Sequence, residues 1–364
     1  MDNPINKYSS FFLSNERSWR SLTKTLENNN DHITMRAESL QLAKEWIQNA
    51  DSVLICGAAG MSVKEGEMVY VNEDDFAKFY PYFLKWGYKH SYQGMGLMFD
   101  PSVPETAKWG YWADHIINQR WRFQPNDGYK TLLNMVKDKD YFVLTSNADG
   151  CFERSGFEVD RIYTPQGDWA YYQCLRPCRP DSVFESKEML EDLRKNRDDE
   201  GLIPEKMIPR CKHCGGTVFG NVRFGSEYLH IKYQEQNDIF RQWMEKKVVS
   251  ESGTVAIIEI GAGFNTPIVT RFPMESFARD LGERGKFIRI NPSDPQVPSD
   301  LNALSIDEGW EVLNDIESTP LTTVSKQVEE EIYAQQKKDG KTSRPFGYHG
   351  KKFAWDEMLK QLKD

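Results

Sequence analysis

The stretch that decides the fold is SVLICGAAGMS at residues 52–62. Val53 to Cys56 are consecutive apolar residues, a pattern that predicts a short buried strand. The small residues from Gly57 to Gly60 follow at once. They predict the strand-to-helix turn at which a Rossmann-type fold binds phosphate. We therefore expect an α/β sheet that carries a ligand site at its strand ends.

Working outward, the same alternation of strands and helices continues along the chain. Further strands are predicted in YFVLTSNADG at 141–150, IYTPQG at 162–167, TVAIIEIGAGFNTP at 254–267 and, as the final strand, KFIRINPSD at 286–294. Helices are predicted at 39–50, 129–138, 184–199 and 236–247. Strand–turn–helix repetition of this kind predicts a Rossmann-like, doubly wound parallel sheet.

The chain divides by composition into a central region with two smaller parts around it. Fourteen aromatic residues fall between Phe76 and Phe123, and we interpret them as the core of a helical module rather than as an aromatic substrate groove. The predicted parts are an N-terminal extension at 1–38, a catalytic region at 39–316 with a helical module at about 67–125 and a zinc module at about 170–225, and a C-terminal helix and tail at 317–364.

Two close cysteine pairs predict a structural metal site. Cys174 and Cys178 form the first pair, and Cys211 and Cys214 form the second after an interval of thirty-two residues. Four thiolates spaced in this way are typical of a tetrahedral zinc site, although four buried free cysteines would give the same sequence pattern. His213 lies within the second pair and is interpreted as a turn residue, because four sulfurs already complete the shell. A fully sulfur-ligated ion has no open position, so no catalytic zinc is implied.

Charge and hydropathy exclude several classes of partner. The net charge is -9, and an acidic chain lacks the basic face that phosphate backbones require, so no nucleic-acid partner is expected. No apolar run reaches the length that spans a bilayer, so no membrane partner is expected. The N-terminal residues lack a secretory signal pattern, and paired cysteines in that context favour metal binding in a reducing, cytoplasmic location.

Three strand ends carry small or polar residues, and together they predict a nucleotide-sized ligand. They are GAAGMS at 57–62, TSNADG at 145–150 and IGAGFNTP at 260–267. Because ligands of open α/β sheets bind beyond the carboxyl ends of the strands, three such turns favour a large ligand with phosphates. The usual GxGxxG spacing is missing, so a hydride-transferring dehydrogenase is not favoured.

The order of these motifs, with the four cysteines between the second and third turns, resembles the sirtuin family over roughly residues 40–316. Sirtuins are NAD-dependent protein deacylases and ADP-ribosyltransferases. The resemblance implies NAD as a consumed co-substrate, a structural zinc ion, and an acyl-lysine channel lined by NVRFG at 221–225. The NAD-binding positions that it implies are Gly57, Ala58, Ala59, Gly60, Ser62, Asn147, Asp149, Gln166, Gly261, Gly263, Asn265 and Asn291.

One departure from the family pattern decides which reaction is expected. Where sirtuin deacylases have the His-Gly whose histidine is the general base, this chain has Gln166-Gly167. A carboxamide does not titrate near neutral pH, so it cannot take the proton that deacylation requires. The sequences Gln166-Gly167-Asp168 and GFNTP at 263–267 resemble the macrodomain-linked, class M sirtuins of microbes. That resemblance implies ADP-ribosyl transfer to a protein, notably a lipoyl-carrier protein.

The sequence is therefore compatible with three functions. In the first, Asn147, Asp149 and Gln166 form the catalytic set of a protein ADP-ribosyltransferase. In the second, another base, with Asp168 as the best candidate, supports a deacylase or an NAD hydrolase. In the third, the loss of the histidine leaves an inactive NAD-binding sensor. We expect Asp168 to be a surface carboxylate that caps the local structure.

Overall fold

The structure is a computed structural model that describes residues 33–63, 73–94, 96–264 and 267–344. Its strands are β1 (Ser52–Gly57), β2 (Asp140–Thr145), β3 (Ile162–Tyr163), β4 (Gly167–Cys174), β5 (Val183–Glu185), β6 (Val218–Val222), β7 (Val255–Ile260), β8 (Gly285–Ile290), β9 (Val297–Pro298), β10 (Ala303–Ile306) and β11 (Thr342–Ser343). Its helices are α1 (33–49), α2 (Glu73–Phe79), α3 (Ser91–Gly94), α4 (Glu105–Ile117), α5 (Asp127–Val136), α6 (Cys151–Arg154), α7 (Lys187–Lys195), α8 (Gln234–Glu245), α9 (Arg271–Leu281), α10 (Val312–Ser318) and α11 (Lys326–Lys338).

The central sheet has six parallel strands in the order β10-β8-β7-β1-β2-β3. From β1 the chain adds β2 and β3 toward one edge of the sheet, and then β7, β8 and β10 toward the other edge. This is the strand order of a doubly wound Rossmann sheet, so the predicted fold class is confirmed. The prediction that KFIRINPSD holds the final strand was wrong. The short strand β10 follows it and pairs with β8, and its Leu304 and Ile306 are buried in the core.

Helices cover both faces of this sheet. Alternate residues of β1 point to opposite faces, as the strand period of two requires: Val53 and Ile55 pack with α1, α5 and α10, whereas Leu54 packs with α8 and α9. Because both faces are covered, the strands read as continuous apolar runs rather than as alternating ones. The carboxyl ends of the strands are left as the open edge.

Helix α1 is longer than the predicted helix at 39–50. It already runs from residue 33, so residues 33–38, which we predicted to belong to an N-terminal extension, are helical. Long-range contacts hold this first turn in place. Met35 packs on the core, and the Arg36 guanidinium lies 2.7 Å from Glu308 and 2.6 Å from Asp315. Such tertiary contacts stabilise a helix start that local periodicity does not mark.

The aromatic-rich segment forms a second core beside the sheet. The ring of Tyr111 stacks on Phe83 with 4.7 Å between centroids and meets Trp112 edge-on, all three being buried. This core continues into the three-stranded antiparallel sheet β5-β4-β6, where Trp169 lies 5.4 Å from Trp112. The interpretation of these aromatic residues as a core agrees with their burial, although Phe99 is 63% exposed.

Candidate functional site

The crevice between β1 and β7 is built on the close approach of two glycines. Gly57 is in register with Ile260, so the turns after the two strands lie side by side. The Gly60 amide donates to the Gly261 carbonyl at 3.1 Å, and a Cβ on Gly60 would lie 2.5 Å from the Gly261 Cα. Gly60 is therefore required by the contact between the two turns themselves, before any ligand is considered.

The rest of the first turn is fixed in the same way. The Ala58 amide donates to the Ile260 carbonyl at 3.0 Å, and Ala59 to Ser62 form a short 3-10 turn. This tight turn follows β1 after one residue. It brings the Ser62 side chain inward, where it is buried.

The turn after β7 is clamped by two side chains. The Ala262 carbonyl accepts from Arg271 Nη1 at 2.7 Å and from Asn291 Nδ2 at 2.9 Å. Among the described residues, a Cβ added to Gly263 would make an ordinary contact with Oδ2 of Asp294 at 3.6 Å. We call Gly263 and Asn291 the adenosine cradle, because the sirtuin resemblance implies NAD binding at both. The predicted site residue Asn265 lies outside the described residues.

A buried hydrogen-bonded cluster joins the first turn to the end of β2. The Ser62 hydroxyl is its centre: it donates to Asp149 Oδ2 at 2.7 Å, accepts from Asn147 Nδ2 at 3.1 Å and lies 2.8 Å from the Tyr129 hydroxyl. Asn147 Nδ2 also donates to the Ala58 carbonyl at 3.0 Å. Burial raises the pKa of Tyr129, so this hydroxyl stays protonated. The cluster holds the Asn147 and Asp149 side chains in one orientation at the mouth of the crevice.

Gln166 lies in the turn that leads from β3 into β4, and backbone contacts tie this turn to its neighbours on both sides. On one side, the Trp169 amide donates to the Ala148 carbonyl at 3.1 Å. On the other, the Arg223 amide donates to the Gln166 carbonyl at 2.9 Å. Gly167 has a φ of +84°, and a Cβ there would lie 2.1 Å from the Asn221 carbonyl oxygen. The half-buried Gln166 thus lies between the TSNADG turn and the NVRFG segment.

Asp168 is not the surface carboxylate that we expected. Only 6% of the residue is exposed, and its Oδ1 accepts from Arg120 Nε at 2.6 Å and from the Ala170 amide at 2.7 Å. Burial raises the pKa of Asp168, and the Arg120 charge opposes that rise. The expectation failed because strand β4 runs inward, against the end of α4, rather than along the surface.

A cavity of about 460 Å³ opens beside these turns. Its walls come from the end of β2, from α6, from the start of β4 and from α8, and they include Asn147, Asp149, Asp168, Tyr171 and Tyr233. Thr164, which also lines it, is buried, and its hydroxyl has no hydrogen-bond partner within the described part of the chain. The cavity therefore offers polar groups next to the residues predicted to bind the ligand.

The four cysteines meet at one point of the small antiparallel sheet. Their Sγ atoms all lie within 4.8 Å of one another, and the pairs Cys174–Cys214 and Cys178–Cys211 are each 3.7 Å apart. A tetrahedral ion with Zn–S bonds of about 2.3 Å requires sulfur–sulfur edges of about 3.8 Å, so the spacing fits zinc. The Gly216 amide points at Cys214 Sγ from 3.4 Å, as expected for an amide that supports a thiolate.

The sequence did not single out several residues that shape this site. Tyr129, on α5, supports Ser62 across 67 positions of sequence, and Arg120 reaches Asp168 across 48. Arg223 lies inside the NVRFG segment, and its Nε donates to the Pro165 carbonyl at 3.3 Å, next to Gln166. Of these three, only Arg223 belonged to a stretch that the motif comparison had marked.

The fold matches solved structures of Sir2 homologues. A Sir2 homologue mutant in complex with 2′-O-acetyl ADP-ribose aligns with a TM-score of 0.50 at 17% identity, covering 79% of this chain and 96% of that one. A second Sir2 enzyme aligns with the same TM-score and identity over 81% of this chain and 98% of its own. The chain has the sirtuin fold, and the resemblance drawn from its motifs is confirmed at that level.

Two relatives align with this chain in sequence. A probable bifunctional ADP-ribose hydrolase/ADP-ribosyltransferase of Fusarium oxysporum f. sp. cubense is 36% identical over 257 residues, which are 69% of this chain and 42% of the relative. A protein ADP-ribosyltransferase of Staphylococcus aureus (strain Mu50) is 27% identical over 286 residues, 76% of this chain and 84% of its own. The chain thus spans under half the length of the fungal relative. No family model matches it.

None of the helices among the described residues combines the length and the apolar character that a bilayer crossing requires.

Proposed function

We propose that the protein is an NAD-dependent protein ADP-ribosyltransferase of the sirtuin type. In this proposal it cleaves nicotinamide from NAD and transfers ADP-ribose to a protein acceptor. The observation that carries the proposal is the position of Gln166 between the turn of Asn147 and Asp149 and the segment of Arg223. The residue that takes the place of the deacylase base thus comes just before strand β4, whose Trp169 amide bonds Ala148 between Asn147 and Asp149, and it cannot titrate.

NAD would lie along the open edge of the sheet. The adenosine half would occupy the cradle at Gly263 and Asn291, and the phosphates would pass the contact between the turns at Gly60. The nicotinamide end would face Asn147 and Asp149. A preorganised carboxamide and carboxylate at that end suit a reaction whose ribose becomes positively charged as the glycosidic bond breaks.

The buried state of Asp168 favours transfer over deacylation. A substitute base would need a carboxylate that is free to take a proton from a ribose hydroxyl. Arg120 Nε and the Ala170 amide both donate to Asp168 Oδ1 and hold the carboxylate in one direction, while burial raises its pKa and the Arg120 charge opposes that rise. Without a base, a protein nucleophile that reaches the anomeric carbon would keep the ADP-ribose.

The acceptor and the metal complete the proposal. A lipoyl-carrier protein is the acceptor that the class M resemblance suggests, and the relatives' names as ADP-ribosyltransferases support transfer as the reaction. The four cysteines would hold zinc as a structural ion that stabilises the small sheet. Unpaired thiols of this kind suit a reducing compartment such as the cytoplasm.

The deciding experiment follows label from NAD with a lipoyl-carrier protein present. Label that becomes bound to protein supports the proposal. Free ADP-ribose instead indicates a hydrolase, acyl-ADP-ribose made from an acylated substrate indicates a deacylase, and NAD binding without turnover indicates a sensor. Acyl-ADP-ribose formed by the wild type as fast as nicotinamide is released would refute the transferase assignment.

Gln166 variants sharpen this test. Gln166→Ala should lower transfer by loosening substrate positioning, without the steep pH dependence that loss of a titrating base gives. Gln166→His should not by itself create an efficient deacylase, because EGEMVYVNEDDF at 65–76 differs from the segment that follows the phosphate turn in deacylases. A Gln166→Ala pH profile that lost a titration present in the wild type would contradict the role given to this residue.

A further inference from the structure

Arg120 lies where three parts of the molecule meet. It belongs to a single π-helical turn at Asn118–Arg122 that ends helix α4, and such turns recur at functional sites. Its side chain is 6% exposed. The Nε atom donates to Asp168 Oδ1 and an Nη atom donates to Glu153 Oε2, both at 2.6 Å. One guanidinium thus joins the helical module, α6 and the small antiparallel sheet.

The same guanidinium packs directly on the turn that carries the predicted reaction residues. Gly150 has a φ of +65°, and a Cβ there would lie 2.2 Å from Arg120 Cζ. A side chain at this position would displace the guanidinium. The planar group therefore lies against the backbone just after Asp149, while its edge holds Asp168, two residues from Gln166.

The Arg120–Asp168 pair adds a side-chain restraint to the backbone hydrogen bonds of the Gln166 turn. Strand β3, which precedes it, has two residues and pairs with β2 only at Ile162 and Tyr163. So short a strand restrains the following turn weakly. The buried charge-assisted hydrogen bond from Arg120 Nε to Asp168 Oδ1 restrains it further, and the bond from Nη2 to Glu153 fixes the guanidinium at a second point.

We propose that Arg120 is a positioning residue that sets the separation of Gln166 from Asn147 and Asp149. It does so by holding Asp168 while it packs on Gly150. The inference rests on the proposed function, since the groups it aligns are those assigned to NAD cleavage. Misplacement of catalytic groups by about 1 Å costs on the order of 100-fold in rate, so loss of this clamp should appear in kcat.

Removing Arg120 alone would leave Asp168 buried and unpaired, which destabilises a protein whatever the role of the pair. The test therefore uses the neutral double variant Arg120→Gln/Asp168→Asn, in which two carboxamides can still hydrogen-bond but the shorter Gln no longer covers Gly150. Arg120→Lys is the second variant, because it keeps the charge and loses the fork. Each is compared with the wild type in thermal unfolding and in nicotinamide release from NAD.

We expect both variants to fold, with kcat lowered by on the order of 100-fold and KM for NAD unchanged, because the adenosine cradle lies elsewhere. Arg161→Gln is the matched control. Arg161 pairs with Asp140 at 2.8 Å at the opposite end of β2, so its loss should leave kcat intact. A folded double variant, or a folded Arg120→Lys, with wild-type kcat would overturn the inference.

A second measurement, amide hydrogen exchange, does not depend on turnover. The clamp should slow hydrogen exchange at the Trp169 amide, which bridges the two turns through Ala148. We expect faster exchange there in the double variant, with the amides of β7 unchanged. A wild type that releases no nicotinamide would refute the proposed function alone, whereas unchanged Trp169 exchange would refute the clamp.

Discussion

Protonation of His115 should destabilise the protein between pH 7 and pH 5. The residue is 3% exposed in the aromatic core, stacked on Tyr111 with 5.2 Å between ring centroids and edge-on to Trp112 at 5.5 Å. The hydroxyls of Tyr80 and Tyr111 each lie 3.3 Å from its Nδ1. Burial lowers the pKa of His115 from 6.5 to about 3 in the folded state.

The sign and the size of the effect follow from this shift. The folded state binds the His115 proton only near pH 3, whereas the unfolded state binds it below its ordinary pKa of 6.5. Stability from the neutral ring is therefore complete above pH 6.5 and is lost as pH falls. At 1.36 kcal/mol per pH unit, the loss between pH 7 and pH 5 is about 2 kcal/mol.

The assay is urea unfolding at pH 7, 6 and 5, followed by tryptophan fluorescence and compared between the wild type and His115→Phe. The phenyl ring retains the stacking but cannot titrate. We expect the variant to be less stable at pH 7, because the hydrogen bond between Nδ1 and a tyrosine hydroxyl is lost, and to lose about 2 kcal/mol less than the wild type between pH 7 and pH 5. Equal pH dependence in the two proteins would refute the assignment of this effect to His115.

Four further outcomes are expected. Gly263→Val should prevent NAD binding in calorimetry while thermal stability is kept, because among the described residues the added Cβ makes only an ordinary 3.6 Å contact with Asp294; retained affinity would contradict the placement of the adenosine. Cys211→Ser should release about one zinc ion per chain and unfold the small sheet, and metal analysis that finds no zinc in the native protein would end that hypothesis. Asn147→Ala should abolish nicotinamide release, measured by chromatography, and a variant with wild-type release would remove Asn147 from the mechanism. Glu259→Gln should lower the free energy of unfolding by about 1.5 to 3 kcal/mol, because Arg289, bonded to Glu259 at 2.5 Å and 1% exposed, would lose one charged partner and keep Glu275 at 2.9 Å; a loss below about 1 kcal/mol in urea unfolding would show that the pair behaves like a surface one.

Much of the fold could be predicted because local sequence carries it. Apolar runs bounded by small residues marked β1, β2 and β7, since parallel strands covered on both faces must be apolar throughout. The edge strand β10 was not predicted, because ALSI at 303–306 is too short to be recognised as an apolar run. The start of α1 at residue 33 was not predicted, because it is stabilised by ion pairs of Arg36 with residues distant in sequence.

The same distinction between local sequence and tertiary contacts applies to the candidate site. The sequence by itself determined the four cysteines, the glycine turns and the glutamine in place of a histidine, because each is a matter of residue type at short spacing. Only the tertiary structure decided that Asp168 is buried against Arg120, that Tyr129 supports Ser62 and that His115 lies among aromatic rings. Those contacts join residues that the chain separates widely, and their energies depend on burial and direction, which a linear pattern does not contain.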